Sequence, residues 1–299
     1  MKLINISVLL LLLGIACGPK VEPNIAANIQ GDGRLIALGR NALENNNRSD
    51  ARAYFQQLLD SYPRSELAGD ARLGIADTYF EDKGISNLIL SIAEYRDFLT
   101  FFPNHPRADY AQYRVAYGHY RQVHSPDRDQ EPTQLAIIEF ETLIRLYRNS
   151  QYAEEGRELL KECYETLAES EFRIGLFYLE VRKHCRSSIP RFETVLENYP
   201  AFSKLDEVHF KIGTAFQLCK KPEDASEHFR NVIDKYPNSL YKVEAQDILT
   251  SLQTPANWRS LKSSSKTLGV KYKPPWRCRY RVAKSNAYGL NSSFGGIRC

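Results

Sequence analysis

The chain has 299 residues, with 40 Lys or Arg against 36 Asp or Glu and a formal charge of +4. Six Cys occur, but there is no CxxC pair and no Cys/His spacing that suits zinc, which excludes a zinc-stapled module. The balance hides an asymmetry: from Ile248 to Cys299 there are ten basic and no acidic residues, leaving 30 basic against 36 acidic elsewhere, a net of −6.

Lys2 is the only charge ahead of an apolar run, Val8 to Ile15, followed by small residues, which reads as a secretory leader over 1–16. The run is well short of the ~20 apolar residues that span a bilayer. Leu13-Gly14-Ile15-Ala16-Cys17 resembles a lipobox, with Gly14 where Leu is usual and Leu13 one position early. Cys17 is therefore the expected lipidation site, and Gly18 after it is compatible with sorting to the outer membrane. An acylated Cys17 would exceed the two-signal requirement for stable anchoring. Residues 17–33 then read as a flexible linker.

Self-similarity dominates the stretch 34–252. Tyr62-Pro63, Phe102-Pro103, Tyr199-Pro200 and Tyr236-Pro237 are aromatic-Pro pairs, and Tyr147-Arg148 is a fifth with Arg in the proline's place. Eight residues before each second member stands Phe55, Tyr95, Phe140, Phe192 or Phe229. Four residues further back stands Ala51, Ser91, Ala136, Ser188 or Ala225. This is the second helix of a tetratricopeptide repeat: the small residue permits close approach, the aromatic fills the seam and the proline stops the helix. Leu38-Gly39 begins the pattern, and Ile212-Gly213, Phe216, Ala225, Phe229 and Pro237 keep the full 34-residue register. His124 to Pro132 reads as a loop inside the third repeat, and Tyr241–Leu252 as a capping helix. The expected fold is all-α, a right-handed tetratricopeptide-repeat solenoid of about five helix hairpins. Cys185 and Cys219 fall at equivalent turns of successive repeats. Helices pack 8–10 Å apart, beyond the ~7 Å Cα limit of a disulfide, so both are expected to be small apolar fillers. First helices of such a solenoid line a groove suited to a peptide. Tyr79, Tyr113 and Tyr117 lie on first helices, either as amphipathic groove contacts or as seam packing.

Asp127-Arg128-Asp129, then Ala136, Phe140 and Tyr147 to Ala153, resemble the middle of the BamD family, lipoproteins of the outer-membrane β-barrel assembly machinery. So do Leu167 to Glu171, Phe177-Tyr178, and Pro190-Arg191-Phe192-Glu193 with Tyr199-Pro200, joined by one long helix near Tyr152–Lys183. The resemblance covers roughly residues 17–250. It implies a lipid-anchored protein on the periplasmic face of the outer membrane. Its partners would be the POTRA region of a BamA-like barrel subunit, other assembly-machinery lipoproteins and unfolded outer-membrane proteins. Arg191 matches a family arginine at the BamA contact, against the alternative of a solvated helix charge. Asp127, Arg128 and Asp129 are either a direct contact or an internally paired loop brace.

No Gly-rich phosphate loop, nucleophile elbow or HExxH occurs, so no enzyme, cofactor or metal is expected. The tail, 253–299, loses the helical period and holds both tryptophans, Trp258 and Trp276. It reads as a lipid-binding polybasic segment, a disordered extension, or the product of a shifted reading frame or artificial junction. Nucleic-acid binding is allowed by its charge but does not fit the compartment. A different repeat lipoprotein of the envelope, a secretin pilotin or a peptidoglycan coordinator, is the alternative reading.

Overall fold

The computed structural model describes residues 31–253, so Cys17, the leader, most of the expected linker and nearly all of the tail lie outside the described residues. Within them the chain forms five helix hairpins and a last helix: α1 (Gly31–Glu44) with α2 (Arg48–Ser61), α3 (Ala68–Glu81) with α4 (Ile85–Phe101), and α5 (Ala108–Tyr120) with α6 (Glu131–Leu146). Then follow α7 (Ala153–Leu176) with α8 (Cys185–Asn198), α9 (Leu205–Leu218) with α10 (Pro222–Lys235), and α11 (Lys242–Gln253). Each helix packs chiefly on its chain neighbours, the arrangement of a tetratricopeptide-repeat solenoid. Among the described residues no helix is long and apolar enough to cross a membrane.

The repeated small and aromatic residues make the seams. Ala51, Ser91, Ala136, Ser188 and Ala225 are fully buried, as are Tyr95, Phe140, Phe192 and Phe229, with Phe55 almost so. Phe55 lies between Gly39 of its own hairpin and Gly74 of the next, and a Cβ at either glycine would run into its ring. The second helices stop at the aromatic of each pair, since Tyr62, Phe102, Tyr147, Tyr199 and Tyr236 are the C-caps. Arg148 changes nothing there. Ser150 N–H donates to Tyr147 O at 2.9 Å and Ala153 N–H to Ser150 O at 3.1 Å, the same ladder that Ser65 and Ala68 make after Tyr62. The turn is held by side chains as well: Ser65 Oγ donates to Asp32 at 2.7 Å and Ser150 Oγ to Asp109 at 2.7 Å.

The long helix is continuous through α7 and then loosens into a π-helical turn, Phe177–Val181, before the hairpin closes. That extra length lets its first half pack beside α6 and its second half beside α8. His124–Gln130 is irregular, as expected, while Pro132 already belongs to the first turn of α6, where its missing N–H costs nothing.

One expectation is overturned. Cys185, at the start of α8, and Cys219, at the end of α9, form a disulfide with Cα atoms 5.7 Å apart. The 8–10 Å spacing separates helix axes, but backbones project ~2.3 Å from each axis, so facing residues come within bonding range. Cys163 is the buried thiol, and burial pushes its pKa up to about 12, which keeps it unreactive.

In the last hairpin His209 Nδ1 lies 3.1 Å from His228 Nδ1, with Phe216 stacked on His228 and Tyr236 beside His209. Burial lowers both imidazole pKa values, that of His209 to about 4, where the His228 ring and Lys235 add to the effect. For His228, Glu227 and Asp224 oppose the shift without reversing it.

Two predictions follow from this packing. Cys185→Ser, or reduction of the bridge, should lower stability by about 3–4 kcal/mol, and hydrogen exchange should accelerate in α8–α10 but not in α1–α4. Uniform acceleration would contradict a bridge that acts locally. The His pair is neutral in the fold, so its stabilisation is present above the free imidazole pKa of 6.5 and is lost as pH falls toward about 4. The thermal midpoint should therefore drop over that window, and a His209→Gln/His228→Gln variant should show a shallower drop; an unchanged slope would contradict the assignment.

Candidate partner-docking face

In a tetratricopeptide-repeat solenoid the first helices line one face; here they are α1, α3, α5, α7 and α9. The sequence points to three tyrosines there, and the structure unites two of them. Tyr113 stacks on Tyr117 at 5.7 Å and on Tyr152 at 5.0 Å, and Tyr117 continues the ladder to Tyr120 at 5.9 Å. Tyr113 is buried at 6% exposure, and its pKa is raised by burial and by Glu155. It is seam packing. Tyr117 is half-buried and edges Phe80. Tyr79 stands apart, half-buried beneath the Arg52 guanidinium, 4.7 Å from its ring centre.

The ladder contains residues that sequence reading did not single out. Tyr120 Oη donates to Glu162 at 2.5 Å and Tyr164 Oη to Glu141 at 2.5 Å, so each phenol crosses to a neighbouring helix. The bond to Glu162 chiefly raises the Tyr120 pKa to about 12, and burial, then Glu141, does the same for Tyr164. Tyr164 also borders a groove of about 800 Å³ with Tyr199, Pro200, Phe202, Lys161 and Thr166. Tyr199-Pro200 carries a signal in the sequence, but as a helix stop and part of the family resemblance, not as a groove wall. Nor does the sequence flag Asp77, whose Oδ1 accepts from Tyr95 Oη at 2.5 Å and Tyr110 Oη at 2.7 Å, tying α3 to α4 and α5. Burial raises the Asp77 pKa, and the two hydroxyl donors hold the rise down.

The Asp127-Arg128-Asp129 loop is paired internally. Asp127 Oδ2 accepts from Arg173 Nη1 at 2.6 Å, while Arg173 Nε reaches Glu169 at 2.7 Å and Lys204 Nζ reaches Glu169 at 2.9 Å. Burial works to raise the Glu169 pKa, but the bonds from Arg173 and Lys204 outweigh it and hold the carboxyl low. One chain of charges thus links the loop of the third hairpin, the long helix and the start of α9. Asp129 Oδ1 accepts from the Glu131 N–H at 3.1 Å, helping to start α6, while the Arg128 carbonyl accepts from Gln130 Nε2 at 2.9 Å and its side chain is exposed. Arg191 is exposed on α8 and pairs with Glu171 of α7 at 2.9 Å. An exposed pair of this kind contributes little stability, so its carboxylate is exchangeable for a partner's.

Among the described residues no group of three His, Cys, Asp or Glu is placed to hold a metal ion.

Comparison with known proteins agrees with this architecture. Residues 207–239 match the tetratricopeptide repeat. The outer membrane protein assembly factor BamD of Caulobacter vibrioides is 26% identical over 215 residues, covering 72% of this chain and 69% of that protein. BamD of Rickettsia prowazekii is 27% identical over 261 residues, covering 85% and 100%, and that of Vibrio cholerae is 25% identical over 200 residues, covering 64% and 79%. Residues 32–218, four hairpins and the start of the fifth, match the YfiO outer membrane lipoprotein family, and the chain belongs to that family.

Proposed function

We propose that the chain is a non-enzymatic scaffold of the outer-membrane β-barrel assembly machinery, tethered through acylated Cys17 to the periplasmic face of the outer membrane. Its C-terminal hairpins bind the POTRA region of a BamA-like subunit, with Arg191 at the contact. Its N-terminal hairpins receive segments of unfolded outer-membrane proteins along the face carrying Tyr79 and Tyr117, and other lipoproteins of the machinery dock on the same solenoid. The observation that carries this reading is the family match across residues 32–218, in relatives named as assembly factors for outer membrane proteins. The Cys185–Cys219 bridge suits an oxidising compartment such as the periplasm. The exposed, exchangeable Arg191–Glu171 pair suits a charge-reading contact.

Affinity-tagged protein should co-purify a POTRA-containing barrel subunit, and Arg191→Glu should reduce its recovery by about tenfold or more while circular dichroism stays unchanged. Recovery without any POTRA-containing partner would overturn the reading. Radioactive palmitate should label the wild-type chain and not Cys17→Ala; label that persists in the variant would place the acyl group elsewhere.

A further inference from the structure

The disulfide joins the closing turns of the fourth and fifth hairpins, and basic residues crowd around it. Arg182, Lys183 and Arg186 flank Cys185, and Lys220 and Lys221 follow Cys219. Arg182, Lys183, Arg186 and Lys220 are exposed, and among the described residues none has a carboxylate within ion-pair distance. Of the nearby acids, Glu180 is engaged with Lys211 at 2.7 Å and Asp224 with Lys221 at 3.5 Å, and Glu244 stands at the border of the adjoining cavity. Like charges are thus held together by a covalent bond, against their mutual repulsion.

The backbone gives a second indication. Lys183 has φ +52° and Lys220 φ +58°, the left-handed region that favours Gly or Asn. At the matching turn of the first hairpin the residue is Asn46, φ +58°. Lysine sits in the last two turns against its conformational preference.

An apolar site adjoins these cations. A cavity of about 440 Å³ is walled by Leu179, Phe210, Leu218 and Ile248, with Lys183 and Lys211 at its border. Leu218 is 43% exposed, and on the π-helical turn Val181 and Phe177 are 67% and 49% exposed. Apolar anchors beside desolvatable cations are the anatomy of a protein contact.

We propose that this disulfide-pinned double turn and its cavity form a docking surface for an acidic polypeptide segment that carries an apolar anchor residue. The anchor enters between Leu179, Phe210, Leu218 and Ile248, and flanking carboxylates pair with Lys183, Lys220 and their neighbours. Residues 254–299 of this chain contain no Asp or Glu, so their charge is wrong for the role. The cavity takes an inserted apolar side chain between Leu179, Phe210 and Leu218, and the cations without a carboxylate partner among the described residues lie beside it, which fits a peptide with an apolar residue between acids. The surface uses residues other than Arg191, and the inference rests on the scaffold reading only for the class of partner.

The test is a fluorescence-anisotropy titration of the oxidised full chain with a labelled peptide of Asp and Glu flanking two leucines. Binding should weaken at least about tenfold in Lys183→Glu/Lys220→Glu. It should weaken several-fold in Leu218→Ser and on reduction of the bridge, while Arg64→Glu, on an inter-repeat turn, leaves it unchanged. Equal binding by the double charge reversal, or equal binding of a serine-for-leucine peptide, would overturn the proposal. So would binding of phosphatidylglycerol vesicles in place of the peptide, or a charge-sensitive dimer in sedimentation. Co-purification of a POTRA-containing subunit, measured on the same variants, separates failure of this surface from failure of the scaffold reading.

Discussion

The solenoid depends on one contact made repeatedly: an aromatic ring of a second helix seated against a residue with no side chain to interfere. Phe55 shows it most fully, closed in by Gly39 behind and Gly74 ahead, so the same ring that closes one hairpin fastens it to the next. Phe192 and Phe229 repeat the arrangement against Gly175 and Gly213. Because no hairpin buries its apolar face alone, stability is a sum of neighbour contacts, and every partner surface inherits its shape from the stack. The Ser65–Asp32 and Ser150–Asp109 bonds tie the start of a first helix to the turn that leads into the next hairpin.

This part of the protein was legible because its signal is periodic. Small residue, aromatic and helix stop recur at fixed intervals, each forced by packing at a buried position, and the fold can be read from them without any tertiary information. Arg148 illustrates how redundant the signal is, since the turn after Tyr147 forms without its proline. The cap, α11, and the loop at 124–130 were legible for the complementary reason, a loss of that pattern.

What could not be read depends on how neighbouring hairpins meet. The Cys185–Cys219 bridge joins residues one repeat apart, and axis spacing alone argues against it; only the facing geometry of the helix ends decides. Tyr113 and Tyr117 look alike in sequence, four residues apart on one helix, and each stacks between two rings, yet Tyr113 is buried and Tyr117 is only half-buried. Asp77 gives no sequence signal, because its three partners come from later in the chain, Tyr95 on α4, Tyr110 on α5 and Arg107 just before α5. Particular roles for Arg191 and for Asp127–Asp129 within their loop were suggested only by family resemblance, and geometry adds their pairings: Glu171 for Arg191, and for Asp127 a brace spanning three hairpins.

These features describe an array of stacked hairpins with a disulfide suited to an oxidising space and exposed charges on a braced C-terminal half. The scaffold account is tested most directly by depleting the protein from living cells and quantifying outer-membrane β-barrel proteins by mass spectrometry. Barrel proteins should fall together while inner-membrane helical proteins hold steady, and re-expression of the wild-type chain should restore them. Unchanged barrel levels in fully depleted cells would contradict the account.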